Sequence, residues 1–126
     1  MAHRVTHLIV EYSGNLHSDA DIPALLERAN QVLVSAFEPG ATVLSRAYEL
    51  QDYHMADGQA DYAFVHATLR MVAGLTEQAR RQIADEVFSA FKQHFAGLYA
   101  SRYLALSMEL VESTGGRFAE ITSRGQ

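Results

Sequence analysis

Histidines and a single in-strand arginine are the residues of this chain best suited to chemistry. His3, His7, His17, His54, His66 and His94 are scattered along it. None makes an H-x-x-x-H pair with a helpful carboxylate, so no metal site is expected. Cysteine is absent, which removes disulfides, thiolate metal sites and a cysteine nucleophile together. There is no G-x-S-x-G, no P-loop and no dinucleotide fingerprint, so no cofactor is expected either. His66, inside a strand, and His94, on a helix, read first as structural histidines. His7, one residue into a β-branched run, is the better candidate for acid–base work. Arg46 shares a strand face with Leu44 and Tyr48. It snorkels at an edge, pairs with an acid of the chain, or holds a substrate carboxylate through its bidentate fork. Arg80-Arg81 near a helix start reads as a solvated pair, and Phe88, Phe91 and Phe95 at helical spacing read as core.

These residues need elements to hold them. Residues 6–12 are apolar and β-branched and end in the turn chemistry of Ser13-Gly14-Asn15, so a first strand is expected there. Asp21 is expected to cap a helix with Pro23 in its first turn, where a missing N–H is harmless. Ile22, Leu25, Leu26, Ala29, Val32, Leu33 and Ala36 give that helix one apolar stripe, and Glu38-Pro39-Gly40 stops it. Residues 42–50 read as a second strand and residues 61–71 as a third. In the third, Ala63, Val65, Ala67, Leu69 and Met71 form one face, while Tyr62, Phe64, His66, Thr68 and Arg70 form the other. Asp57-Gly58 marks a turn between these strands. Thr76 can cap a second helix reaching about Tyr99, and residues 103–111 read as a last strand.

The order is β-α-β, then β-α-β. Each helix has one apolar face, so both should cover one side of a four-stranded sheet and leave the other side, with Phe64 and its neighbours, uncovered. An uncovered apolar face points to an oligomer. At 126 residues with 48% apolar composition, a single domain can bury a core without staples. The net charge of −5 and the lack of a basic patch argue against a nucleic-acid partner. No apolar run is long enough for a membrane span, and no secretory leader is evident, so a cytoplasmic protein is expected.

The run His54-Met55-Ala56-Asp57-Gly58-Gln59-Ala60-Asp61-Tyr62-Ala63-Phe64-Val65-His66, followed by Thr68-Leu69-Arg70, closely resembles the 5-carboxymethyl-2-hydroxymuconate isomerases of the tautomerase superfamily. The likeness extends to residues 7–15, to Ala20-Asp21-Ile22-Pro23, to His94-Phe95-Ala96 and to residues 101–107, so it spans most of residues 6–112. It implies an α+β fold: two β-α-β units in one four-stranded mixed sheet, with both helices on one face, assembled as a homotrimer. It divides the chain into an N-terminal extension (1–5), the tautomerase-like domain (6–112) and a C-terminal tail (113–126). It also implies keto–enol tautomerisation of a small unsaturated carboxylate in aromatic-acid breakdown. In the family, a free N-terminal proline is the base and arginines hold the substrate carboxylates. The proline falls here on Thr6, behind five residues. An arginine pair on the second strand falls on Leu44 and Arg46, and an arginine after the third strand falls on Leu75.

The resemblance therefore implies Thr6 (by position), His7 and Arg46 as catalytic candidates, with Arg46 and Arg70 as carboxylate holders and the amine of Ala2 or the ring of His3 as substitute bases. The partners implied are a small carboxylate substrate and two further copies of the chain. Two other readings stay open. One is a non-catalytic trimeric relative that binds small acids or serves as a scaffold. The other is a ferredoxin-like domain with the same element order, often a dimer.

Overall fold

The computed structural model describes residues 4–37 and 41–113. Within them lie β1 (Arg4–Ser13), a 3-10 turn (Gly14–Leu16), α1 (Ile22–Ala36), β2 (Ala41–Leu50), β3 (Ala63–Val72), α2 (Glu77–His94), α3 (Ala96–Ser101) and β4 (Leu104–Ser113). One four-stranded sheet forms in the order β2-β1-β3-β4. β1 pairs parallel to β2 and antiparallel to β3, and β3 pairs parallel to β4. Because β1 and β2 are direct neighbours, each β-α-β unit is closed rather than split by an inserted strand. That removes the ferredoxin-like alternative.

The pleat sorts side chains onto two faces. Leu8, Val10, Val65, Ala67, Leu69 and Met71 are fully buried beneath the helices, where they meet Leu25, Leu33, Val87, Phe91 and Phe95. Burying one such leucine or phenylalanine stabilises the fold by about 1.5–3 kcal/mol. The opposite face carries Leu44 and Tyr48 at 47% and 51% exposure, and half-buried Phe64, His66 and Arg70. The sheet is thus covered on one side only, as the single apolar stripes of the helices require.

Local chemistry sets most element ends. Asp21 caps α1: its carboxylate accepts from the Ala24 N–H, and Pro23 lies in the first turn. Asp21 has φ +46, a left-handed conformation that short polar residues tolerate. Thr76 caps α2 by accepting from the Ala79 N–H at 3.0 Å. Gly58 has φ +69, a left-handed conformation that favours glycine in this turn.

Several boundaries differ from the sequence expectation. β1 begins at Arg4 rather than Thr6, so Arg4 and Val5 are strand residues. β4 starts at Leu104 and runs on to Ser113, because β3 offers a partner along its whole length. The second helix does not run unbroken to Tyr99. It ends at His94, Phe95 turns the chain with its ring fully buried, and α3 begins at Ala96. Gly97, a poor helix former, follows at once. The expected stop at residues 38–40, the first three residues and the tail beyond Ser113 lie outside the described residues. No helix among those described is long and apolar enough to cross a membrane.

At the far end of β1 a polar network ties the connections together. Asn15 Nδ2 donates to Asp61 Oδ1 at 2.9 Å and to the Tyr62 carbonyl at 2.7 Å, and Arg102 Nη2 binds Asp61 at 3.0 Å. Beside it, Glu49 pairs with His17 Nδ1 at 2.5 Å and accepts from Gln51 at 2.6 Å and from the Tyr12 hydroxyl at 3.3 Å. These contacts, His17 first, hold the Glu49 carboxyl below its ordinary value. Burial, then the Glu49 charge, pushes the Tyr12 hydroxyl up. With the folded value of Glu49 below the unfolded one, its contribution is complete above the ordinary carboxylate range, about 4.3. It is lost as pH falls through the folded value. The melting-temperature gap between wild type and Glu49→Gln should therefore shrink as pH is lowered from about 6 to about 3. A gap constant across that window would show that the contact is not carried by charge.

Candidate active site

His7, Arg46 and Arg70 come together on the uncovered face, near the start of β1. In the β1–β3 pairing His7 stands directly opposite Arg70, and in the β1–β2 pairing it lies beside Leu44. Arg46 is level with Ile9, two residues further along, on the same face as His7. Its guanidinium reaches back, placing Nη1 3.3 Å from His7 Nδ1. Three adjacent strands thus contribute one residue each, which is how a sheet turns distant sequence positions into neighbours.

The chemistry of that contact is definite. A guanidinium can only donate, so His7 Nδ1 must accept. The ring in this contact is neutral, with its proton on Nε2. Among the described residues neither Arg46 nor Arg70 forms an ion pair with a carboxylate. Two half-buried arginines without carboxylate partners among the described residues thus stand on either side of His7, in a chain whose overall charge is negative.

Thr6 does not join this cluster. Adjacent residues on a strand point to opposite faces, so the Thr6 side chain enters the helix-covered core, fully buried. Its Oγ1 has no hydrogen-bond partner among the described residues, and its nitrogen is a peptide amide inside β1. The Thr6 side chain therefore faces away from the His7 ring. Leu44 and Leu75 also stand where the resemblance places arginines. Leu44 lies beside His7 on the open face, whereas Leu75 packs against the core. Ala2 and His3 lie outside the described residues.

The remaining histidines have other work. His94 Nε2 bonds the Ala20 carbonyl at 2.6 Å, pinning α2 to the segment before α1. His66 spans β3 and β4, with Nδ1 2.7 Å from Ser107 Oγ and Nε2 3.4 Å from Glu109. Arg102 went unnoticed in the sequence as a structural residue. No local pattern marks it, because its acids, Asp19 and Asp61, are distant along the chain.

The orphaned hydroxyl of Thr6 yields a direct test. A buried donor without a partner costs about 1–3 kcal/mol, and valine has nearly the same shape. Thr6→Val should raise the unfolding free energy by about 1 kcal/mol in urea titrations. A loss of stability would mean the hydroxyl has a partner.

The family described as 5-carboxymethyl-2-hydroxymuconate isomerase matches residues 6–120. The Escherichia coli 5-carboxymethyl-2-hydroxymuconate Delta-isomerase is 43% identical over 107 residues, covering 84% of this chain and 85% of that protein. The crystal structure of a 5-carboxymethyl-2-hydroxymuconate isomerase from Deinococcus radiodurans R1 superposes with a TM-score of 0.86 at 35% identity, covering 93% of this chain and 90% of that one. A fused 4-OT, solved as a symmetric trimer, shares the fold with a TM-score of 0.59 at 17% identity, covering 84% of this chain and 85% of that one. The tautomerase fold expected from the sequence is therefore present, and the chain belongs to the 5-carboxymethyl-2-hydroxymuconate isomerase family.

Proposed function

We propose that the protein is a 5-carboxymethyl-2-hydroxymuconate isomerase-like enzyme of aromatic-acid breakdown. It moves a proton between carbon positions of a small unsaturated di- or tricarboxylate through a dienol. The observation that carries this reading is the placement of His7 between Arg46 and Arg70 on one sheet face. Arg46 and Arg70 bind the substrate carboxylates. When the Arg46 guanidinium turns to a carboxylate, it gives up its contact with the His7 Nδ1 lone pair. That lone pair then takes a proton from the acidic carbon and returns it to the new position, so no net proton is consumed. Charge on the dienolate oxygen is held by the same arginines. His7 thereby replaces the amine that Thr6 does not supply, which needs no proline at the chain start. The protein works as a cytoplasmic homotrimer, its uncovered sheet faces turned toward one another. The exposed Tyr48 supports that assembly.

One observation favours a second reading. The family's base position is here a strand amide above a buried hydroxyl. A chain without a working base would bind the same dicarboxylates and not turn them over.

Ultraviolet assay of 5-carboxymethyl-2-hydroxymuconate isomerisation separates the two. Wild type should outpace buffer, and His7→Ala should cut kcat at least about 100-fold, the usual contribution of a general base. Arg46→Ala should weaken substrate binding by about 2 kcal/mol, some 30-fold in KM. Wild type no faster than buffer, with a melting shift on adding substrate, would leave the binder. Leu44→Arg places a third cation beside His7 and should lower KM about tenfold. An unchanged KM would show that the carboxylates do not sit on this face.

A further inference from the structure

The cross-strand row through His7 is cationic on one side and apolar on the other. Arg70 of β3 stands opposite His7 in one pairing, and Leu44 of β2 stands level with it in the other. Adjacent strands lie about 4.8 Å apart, so both side chains border whatever occupies the space over the His7 ring. Leu44 is 47% exposed, a large apolar side chain that the helix-covered core does not use. Ile9, two residues along β1 on the same face, is half-buried and extends this apolar surface toward Arg46.

Arg46 and Arg70 are the guanidiniums that β2 and β3 place beside His7. A guanidinium fork holds one carboxylate, so the pair matches the two end carboxylates of a muconate. In a 2-hydroxymuconate the carbons conjugated with the enol oxygen are C3 and C5. The proton that His7 carries arrives at or leaves these positions, so C5 comes within reach of the ring together with any arm it bears. With the end carboxylates on the arginines, the side of His7 left for that arm is the Leu44 side. A carboxylate there would lose hydration against leucine without gaining a donor, whereas an alkyl group would gain by leaving water.

We infer that this chain selects dicarboxylate dienols whose C5 arm is a short alkyl group, and discriminates against a carboxymethyl arm, which adds a third carboxylate. Leu44 is the residue that sets this specificity. The inference rests on the isomerase reading above and names the substrate class of that same site.

Two saturated diacids separate binding from turnover, because neither contains the dienol. The first, 2-ethyladipate, carries the alkyl arm, and 2-(carboxymethyl)adipate carries the charged one. Calorimetry on the full chain should show the ethyl compound bound at least about tenfold more tightly. Leu44→Arg should reverse that order, and Leu44→Ala should shrink the preference. Leu44 is exposed, so both variants should keep the melting temperature of wild type. Turnover of 5-ethyl-2-hydroxymuconate and of 5-carboxymethyl-2-hydroxymuconate, followed in the ultraviolet, should show the same preference in kcat/KM. Equal or tighter binding of the tricarboxylate by wild type, an order unchanged in Leu44→Arg, or a kcat/KM that favours the carboxymethyl arm would each overturn the proposal and leave the isomerase reading standing. Turnover of neither dienol beside a preserved binding preference would overturn the isomerase reading and support the specificity. Neither binding nor turnover would overturn both.

Discussion

β1 lies between a parallel neighbour and an antiparallel one, and its alternation of faces governs the rest of the molecule. Even-numbered residues from Thr6 to Tyr12 go under the helices, and odd-numbered residues from His7 to Glu11 go to the uncovered face. A shift of one residue in pairing would exchange the two sets, placing His7 and Glu11 in the core. The fully buried Leu8 and Val10 prevent that slip, because exposing them would forfeit several kcal/mol of burial. The packing of the core is thus what holds the chemical residues in place.

That constraint explains why the two candidates at the strand start part company. Thr6 and His7 are neighbours in sequence and opposites in space. A free amine at position 6 would act through its main-chain nitrogen, which belongs to neither face. A side chain at the same position has no such freedom, and the Thr6 hydroxyl is buried without a partner among the described residues. His7 instead meets Arg46 from one flanking strand and stands in register with Arg70 on the other. The cationic character of this end of the sheet arises from pairing, since the three residues are separated by 39 and 63 positions or fewer along the chain and share no local motif.

The opposite end of the sheet is governed by a different interaction, the Arg102 bridge from the start of β4 to Asp61 and Asp19. Together with Asn15 it holds the connection before β3 against the end of β1. The Met55-Ala56-Asp57-Gly58-Gln59 turn is therefore anchored where its own backbone chemistry, the left-handed Gly58 above all, already bends it. Asp57 adds to this by accepting from the Gln59 N–H at 3.0 Å and from the Tyr62 hydroxyl at 2.7 Å. The Gln59 bond, then the Tyr62 bond, holds its carboxyl below the ordinary value.

Element order, the two caps at Asp21 and Thr76, the one-sided helices and the alternation of β3 are all written in the sequence, because each depends on residues within a turn or two of one another. The break at Phe95 was not legible, since it follows from where a ring is buried. The sequence could nominate His7, Arg46 and Arg70 by type, and through resemblance could name the family. It could not say that they meet, or that Thr6 faces away from them. Those facts depend on strand order and register, which join residues far apart in the chain and are decided only when the apolar faces find a common core.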